Sequence, residues 1–179
     1  MTLKYIKSDL YRYTGQVSLK TFLKTYFFNR GFNFSFWLRL ASAQSAWAKL
    51  AYPIYYYKKK QYGIDIHTST KIGYGLYIGH GGPLVVNPTT VIGNNVNLSQ
   101  FTTIGANSGR KAAEIGDNVY IGPNVCIIEH VKIGSNATIG AGSVVTKDIP
   151  ENATAAGNYA KLLSFNNPGS LVNKRWECE

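Results

Sequence analysis

The chain has 179 residues, 45% of them hydrophobic, and a formal net charge of +10, which is enough apolar material for one domain with a real core. Its two cysteines, Cys126 and Cys178, have no metal-ligand spacing and are too few for a disulfide framework, so a reducing compartment is expected, the cytosol by default. No run of about 18 uncharged apolar residues occurs, and the first residues lack an apolar leader core and a small-residue cleavage site, so neither a spanning nor a secreted chain is expected.

Residues 1–62 differ in kind from the rest. They hold eleven lysines and arginines against one acid, Asp9, and 17 of the 24 aromatic residues, whereas the remainder sums to zero charge. From Ser18 to about Lys60 apolar residues fall three and four apart, as in Leu19, Phe22, Leu23, Tyr26 and Phe27 and again in Phe36, Trp37, Leu40 and Ala41. This spacing predicts two or three short helices, with Gly31 and Pro53 as the breaks.

From Ile66 an aliphatic residue returns every six positions: Ile66, Ile72, Ile78, then Val86, Ile92, Leu98, Ile104, then Ile115, Ile121, Ile127, Ile133, Ile139 and Val145. Two gaps interrupt these 13 hexads, and glycine follows the aliphatic residue in eight of them. A period of six fits neither an amphipathic helix nor one long alternating strand. It suits short strands joined by corners, with one inward side chain per face of a triangular coil. Asn95, Asn118, Asn124 and Asn136 fall three places after the aliphatic residue, where a corner needs a residue that tolerates a left-handed backbone.

The repeat resembles that of the hexapeptide-repeat transferases, whose pattern is an aliphatic residue, a glycine, two variable residues, a small residue and another variable one. The resemblance implies a left-handed parallel β-helix over residues 63–163, preceded by a short helical segment over 1–62 and followed by an extension over 164–179. It also implies a homotrimer with sites between subunits. The hand comes from the resemblance alone, since parallel crossovers are normally right-handed. Gly157, Asn158, Tyr159, Ala160 and Lys161 resemble the family's Gly-x-Pro-Ala-Lys ending, with tyrosine in place of proline.

Counting hexads around three faces puts Ile78, Leu98, Ile121 and Ile139 on one face, with His80, Gln100, Pro123 and Ala141 two places on, in a line along the coil axis. Gly122 and Gly140 run beside it, and the lack of a side chain there admits an extended ligand such as the pantetheine arm of coenzyme A. Ala106, Gly122, Pro123, Gly140, Ala141, Lys147 and Lys161 are therefore the candidate contacts for acetyl-CoA, the lysines meeting its phosphates, and Arg110 and Lys111 are candidate acceptor contacts. His80 lies in the first irregular gap. The run Asp65, Ile66, His67, then Lys71, Ile72, Gly73, then His80 resembles the motif of the serine acetyltransferase branch, which implies His80 as general base and Asp65 as the carboxylate that orients it. His67 and His130 differ in hexad position from His80, so no metal site is expected.

Two residue patterns point away from free serine as the acceptor. Where that branch has an aspartate before the catalytic histidine this chain has Gly79, and the loop from Gly105 to Glu114 contains no histidine. The basic, aromatic first segment resembles acetyltransferases of capsular and exopolysaccharide clusters. That implies a saccharide acceptor, possibly lipid-linked, and a peripheral position on the inner membrane face. Nucleic-acid binding is not expected, since no recognition motif accompanies the charge. The alternatives are a serine O-acetyltransferase and a non-catalytic scaffold at a membrane surface.

Overall fold

The computed structural model describes residues 2–177; Met1, Cys178 and Glu179 lie outside it. Four helices come first: α1 (Thr2–Thr14), α2 (Leu19–Phe28), α3 (Arg30–Ala41) and α4 (Ala46–Tyr62). Two details differ from expectation. Gly31 sits inside α3 rather than breaking it, because the break falls at Asn29, whose backbone N–H closes α2 on the Thr25 carbonyl while its side chain accepts from the Phe32 N–H at 3.0 Å. Pro53 lies within α4, which continues past it; packing of Ala51 and Tyr55 into the interior outweighs one missing backbone bond.

Short strands then wind as coils. The first coil is β1 (Ile64–Ile66), β2 (Lys71–Ile72) and β3 (Tyr77–Ile78). The second is β4 (Leu84–Val86), β5 (Val91–Ile92) and β6 (Asn97–Leu98), and the third β7 (Thr103–Gly105), β8 (Glu114–Ile115) and β9 (Tyr120–Ile121). The fourth is β10 (Cys126–Ile128), β11 (Lys132–Ile133) and β12 (Thr138–Ile139), and the last holds β13 (Val144–Val145) and β14 (Thr154–Ala156). Every third strand pairs in parallel, which makes three faces: β1-β4-β7-β10-β13, β2-β5-β8-β11 and β3-β6-β9-β12-β14. A final strand, β15 (Lys161–Ser164), runs antiparallel to β14. This is the left-handed parallel β-helix.

The core is the hexad pattern made physical. Ile66, Ile78, Leu98, Ile104, Ile121, Ile139 and Val145 are fully buried, and so are the small residues four places on, Val96, Thr102, Val119, Val125, Ala137 and Ser143. One corner carries Asn95, Asn118, Asn136 and Asn152 in the left-handed region, with φ of 54°, 55°, 60° and 63°. Their amides form a ladder, each donating to the next at 3.3, 3.1 and 3.0 Å.

A coil has two open ends, and at the first the backbone N–H and C=O groups of β1–β3 have no preceding strand. The helices satisfy them with side chains. Gly75 N–H donates to Ser8 Oγ (2.9 Å), Leu76 N–H to Asp9 Oδ1 (2.8 Å) and Ile78 N–H to Tyr13 Oη (2.9 Å). Arg39 donates to the carbonyls of Ile72 (3.0 Å) and Gly73 (2.7 Å), and Tyr55 Oη to that of Ile66 (2.5 Å). Arg39 and Asp9 also form a buried bidentate pair at 2.9 and 3.0 Å. The chain end returns along the coil: Trp176 N–H donates to Asn95 Oδ1 (2.7 Å) and Gly169 N–H to the Asn136 carbonyl (2.8 Å).

Candidate active site

The two extra residues between Ile78 and Val86 form an outward corner, His80-Gly81-Gly82-Pro83, between β3 and β4. His80 has φ 58° and Gly81 φ 56°. In later coils the left-handed residue of this corner is Phe101, Asn124 or Gly142, the register equivalents of Gly81. The left-handed backbone at His80 is therefore peculiar to the interruption, and it stands the ring, exposed, at the edge of the coil. The N-terminus of α3 braces this corner. A Cβ on Gly81 would lie 2.6 Å from Gly31 N, and a Cβ on Gly31 would lie 2.2 Å from the Ile78 carbonyl oxygen. Glycine at both positions is what lets helix and corner touch.

His80 opens onto a cleft of about 370 Å³ between α1, the outer surface of β3, β6 and β9, and the returning chain end. Its walls include Arg12, Tyr13, Tyr77, Asn97, Ser99, Tyr120, Asn173 and Lys174. Tyr13 is half-buried, and loss of hydration holds its phenol well above the usual tyrosine range. Its hydroxyl grips Ile78 two residues before His80. Arg12 is 3% exposed; it donates to the Gly75 carbonyl at 3.2 Å and to Asn97 Oδ1 and the Asn173 carbonyl. Burial lowers its guanidinium to about 10. Tyr77, Asn97 and Tyr120 share one variable hexad position and Arg12, Tyr13, Asn173 and Lys174 lie outside the hexads, so the sequence marks the cleft weakly. Arg12 and Tyr13 follow the buried Ser8, Asp9 and Leu10 three and four places on, at helical spacing, and that was the available signal.

The strand register places His80, Gln100, Pro123 and Ala141 at equivalent positions on one corner of successive coils. Lys161 flanks the far end through its pairing with Ala156. Gly122 and Gly140 present no free amide, because their N–H groups donate to the carbonyls of Ile139 and Ala155. A Cβ there would press to 2.9 Å on Ala141 N or 2.7 Å on the Ala156 Cβ, so both glycines serve coil stacking.

Other expected partners stand apart from His80 within one chain. Asp65 projects from β1 on the adjoining face and, within one chain, pairs with Lys59 at 2.6 Å. Ala106, Arg110, Lys111 and Lys147 lie across the face β1-β4-β7-β10-β13, at its other edge. There Arg110 and Lys111 join Glu129, His130 and Thr146 around a second cleft, and Arg110 donates to Glu129 at 2.5 Å. His67 is exposed; its Nδ1 accepts the Ser69 N–H at 3.1 Å. Among the described residues no three His, Cys, Asp or Glu side chains lie close enough to hold a metal, and no helix is long and apolar enough to cross a membrane.

A left-handed coil with an interrupted hexad and a solvent-facing histidine defines the class of hexapeptide-repeat acyl-transfer proteins. Residues 112–147 match the family model described as bacterial transferase hexapeptide (six repeats). The chain is 40% identical over 107 residues to serine acetyltransferase 4 of Arabidopsis thaliana, covering 58% of this chain and 30% of that protein. It is 41% identical over 98 residues to a serine acetyltransferase of Staphylococcus aureus, covering 53% and 46%. The Neisseria gonorrhoeae serine acetyltransferase in complex with serine superimposes with a TM-score of 0.78 at 32% identity, over 91% of this chain and 69% of that one. The Brucella abortus serine acetyltransferase in complex with coenzyme A does so with a TM-score of 0.76 at 27% identity, over 89% and 66%. The chain belongs to the hexapeptide-repeat acyltransferase family. It spans about a third of the length of the curated Arabidopsis relatives it matches.

These relatives overturn the likeness to capsular and exopolysaccharide enzymes and, with it, the saccharide acceptor. The basic aromatic segment that suggested them has a structural explanation in large part. Arg12 and Arg39 are consumed in buried bonds to the coil, Tyr5 stacks on Tyr74 with centroids 4.3 Å apart, and Phe34 packs on Tyr55 at 5.9 Å.

Proposed function

We propose that this chain is an acetyl-CoA-dependent serine O-acetyltransferase with His80 as general base. The observation that carries the reading is the placement of His80, on the interruption of the coil and facing a polar cleft, in a chain whose relatives are serine acetyltransferases. The imidazole accepts the proton of the acceptor hydroxyl as that oxygen attacks the thioester carbonyl. Collapse of the tetrahedral intermediate breaks the carbon–sulfur bond, and the imidazolium returns the proton to the departing thiolate. No covalent enzyme intermediate is needed.

Acetyl-CoA lies along the corner of Gln100, Pro123 and Ala141, with Lys161 at the phosphate end. The protein works as a homotrimer. One chain divides its candidate residues between two edges of the face β1-β4-β7-β10-β13, and a neighbour turned by a third of a revolution sets one edge against the other. Val85, Phe101 and Ile128, exposed by 47%, 58% and 44% on or beside that face, give such an interface its apolar area. The test is purified protein with acetyl-CoA and L-serine, read by free thiol and product mass. Serine-dependent thiol release with an acetylserine product is expected; hydrolysis alone would refute the reading.

A further inference from the structure

We infer that the cleft beside His80 reads its acceptor through an anionic group and leaves the acceptor's amine unread, so that hydroxy acids without an amine serve as acceptors too. This rests on His80 as the base. The walls of the cleft carry two cations, Arg12 and Lys174, and no aspartate or glutamate among the described residues. Arg12 is locked from beneath by the Gly75 and Asn173 carbonyls and by Asn97, so it is a fixed positive charge with little water around it. Lys174 reaches in from the returning chain end and spends one hydrogen bond on the Tyr13 carbonyl at 3.0 Å, which leaves its other donors for a ligand.

The remaining polar walls are the neutral Asn97, Ser99, Tyr77 and Tyr120. A carboxylate placed there meets charge-assisted donors, while an ammonium meets two like charges and no ionised acceptor. The second cleft, which a neighbouring copy brings, adds Arg110, Lys111 and His130, and the one carboxylate lining it among the described residues, Glu129, is already taken by Arg110 and Asn107. Gly79 marks where an ammonium partner is missing. A Cβ built on it meets nothing nearer than 3.7 Å, so the backbone accepts a side chain there and none is supplied.

The experiment compares L-serine, 3-hydroxypropanoate and ethanolamine as acceptors with saturating acetyl-CoA. A kcat/KM for 3-hydroxypropanoate within about tenfold of serine, and one for ethanolamine about a hundredfold lower, is expected. Lys174→Gln should raise KM for 3-hydroxypropanoate about tenfold with little change in kcat. Gly79→Asp should shift the preference between serine and 3-hydroxypropanoate towards serine by at least about tenfold. Serine turned over with 3-hydroxypropanoate refused overturns the inference and leaves the proposed function standing. Turnover of none of the three overturns the function itself. In that event calorimetry on the CoA-loaded protein still decides the inference, because ethanolamine binding as well as 3-hydroxypropanoate refutes it.

Discussion

The coil and the helical cap hold together by different means. In the coil each rung repeats the last, the strands are joined backbone to backbone with a repeated amide ladder along one corner, and stability lies in stacked aliphatic side chains of one type, so the information is redundant. In the cap nothing repeats. Ser8, Asp9, Tyr13, Arg39 and Tyr55 each satisfy particular groups of the first coil, and no second residue stands in if one is lost. The candidate site lies on the seam, where α1 and α3 meet the first of the two corners that depart from the repeat.

That contrast says where each region breaks. Asp9→Ala should be the most damaging cap substitution, because it leaves Arg39 buried without its partner. A loss of about 3–5 kcal/mol is expected in chemical denaturation, against a small change for an exposed acid such as Glu151. Ile121→Ala removes one aliphatic rung and should cost about 2–4 kcal/mol through the cavity it leaves. The neighbouring rungs stay intact, so the acetyl-CoA affinity of the folded protein should change less than its stability. Asn118→Ala places an ordinary side chain at φ 55° and breaks the amide ladder, and should cost about 1–2 kcal/mol, whereas Asn118→Gly should cost less. An equal cost for the two would show that the ladder, and not the backbone, is what the corner requires.

The smallest effect is a pH dependence at the cap. Burial pushes the Tyr55 phenol from 10.0 up to about 12. The folded state therefore holds the proton more tightly than the unfolded chain, so this contribution is complete below pH 10 and is lost as pH rises from 10 towards 12. Tyr55→Phe should be about 1 kcal/mol less stable at pH 8, and the gap to the unmodified protein should narrow across that window. A gap that stays constant to pH 12 would contradict the burial argument.

The same contrast explains what the sequence disclosed. Hexads announce themselves because the inward positions recur at fixed spacing, so the coil, its faces and the line from His80 to Ala141 were legible from residues alone. His80 stood out because it falls where the repeat stops. The cap was less legible, since each of its bonds joins residues far apart in sequence: Asp9 to Arg39 spans 30 positions and Ser8 to Gly75 spans 67. Gly31 looked like a helix break and is instead the point where α3 touches the coil. The acceptor was misread for a related reason. A segment rich in basic and aromatic residues advertises a surface, yet several of them, Arg12, Arg39 and Tyr55 among them, are turned inward onto the first coil.

The central claim is that His80 carries the proton during acetyl transfer, and His80→Ala tests it most directly. With L-serine and acetyl-CoA, kcat should fall by about 10²–10⁴-fold while acetyl-CoA binding by calorimetry and thermal stability stay near those of the unmodified protein. Thiol release by His80→Ala within a fewfold of the unmodified rate would contradict it.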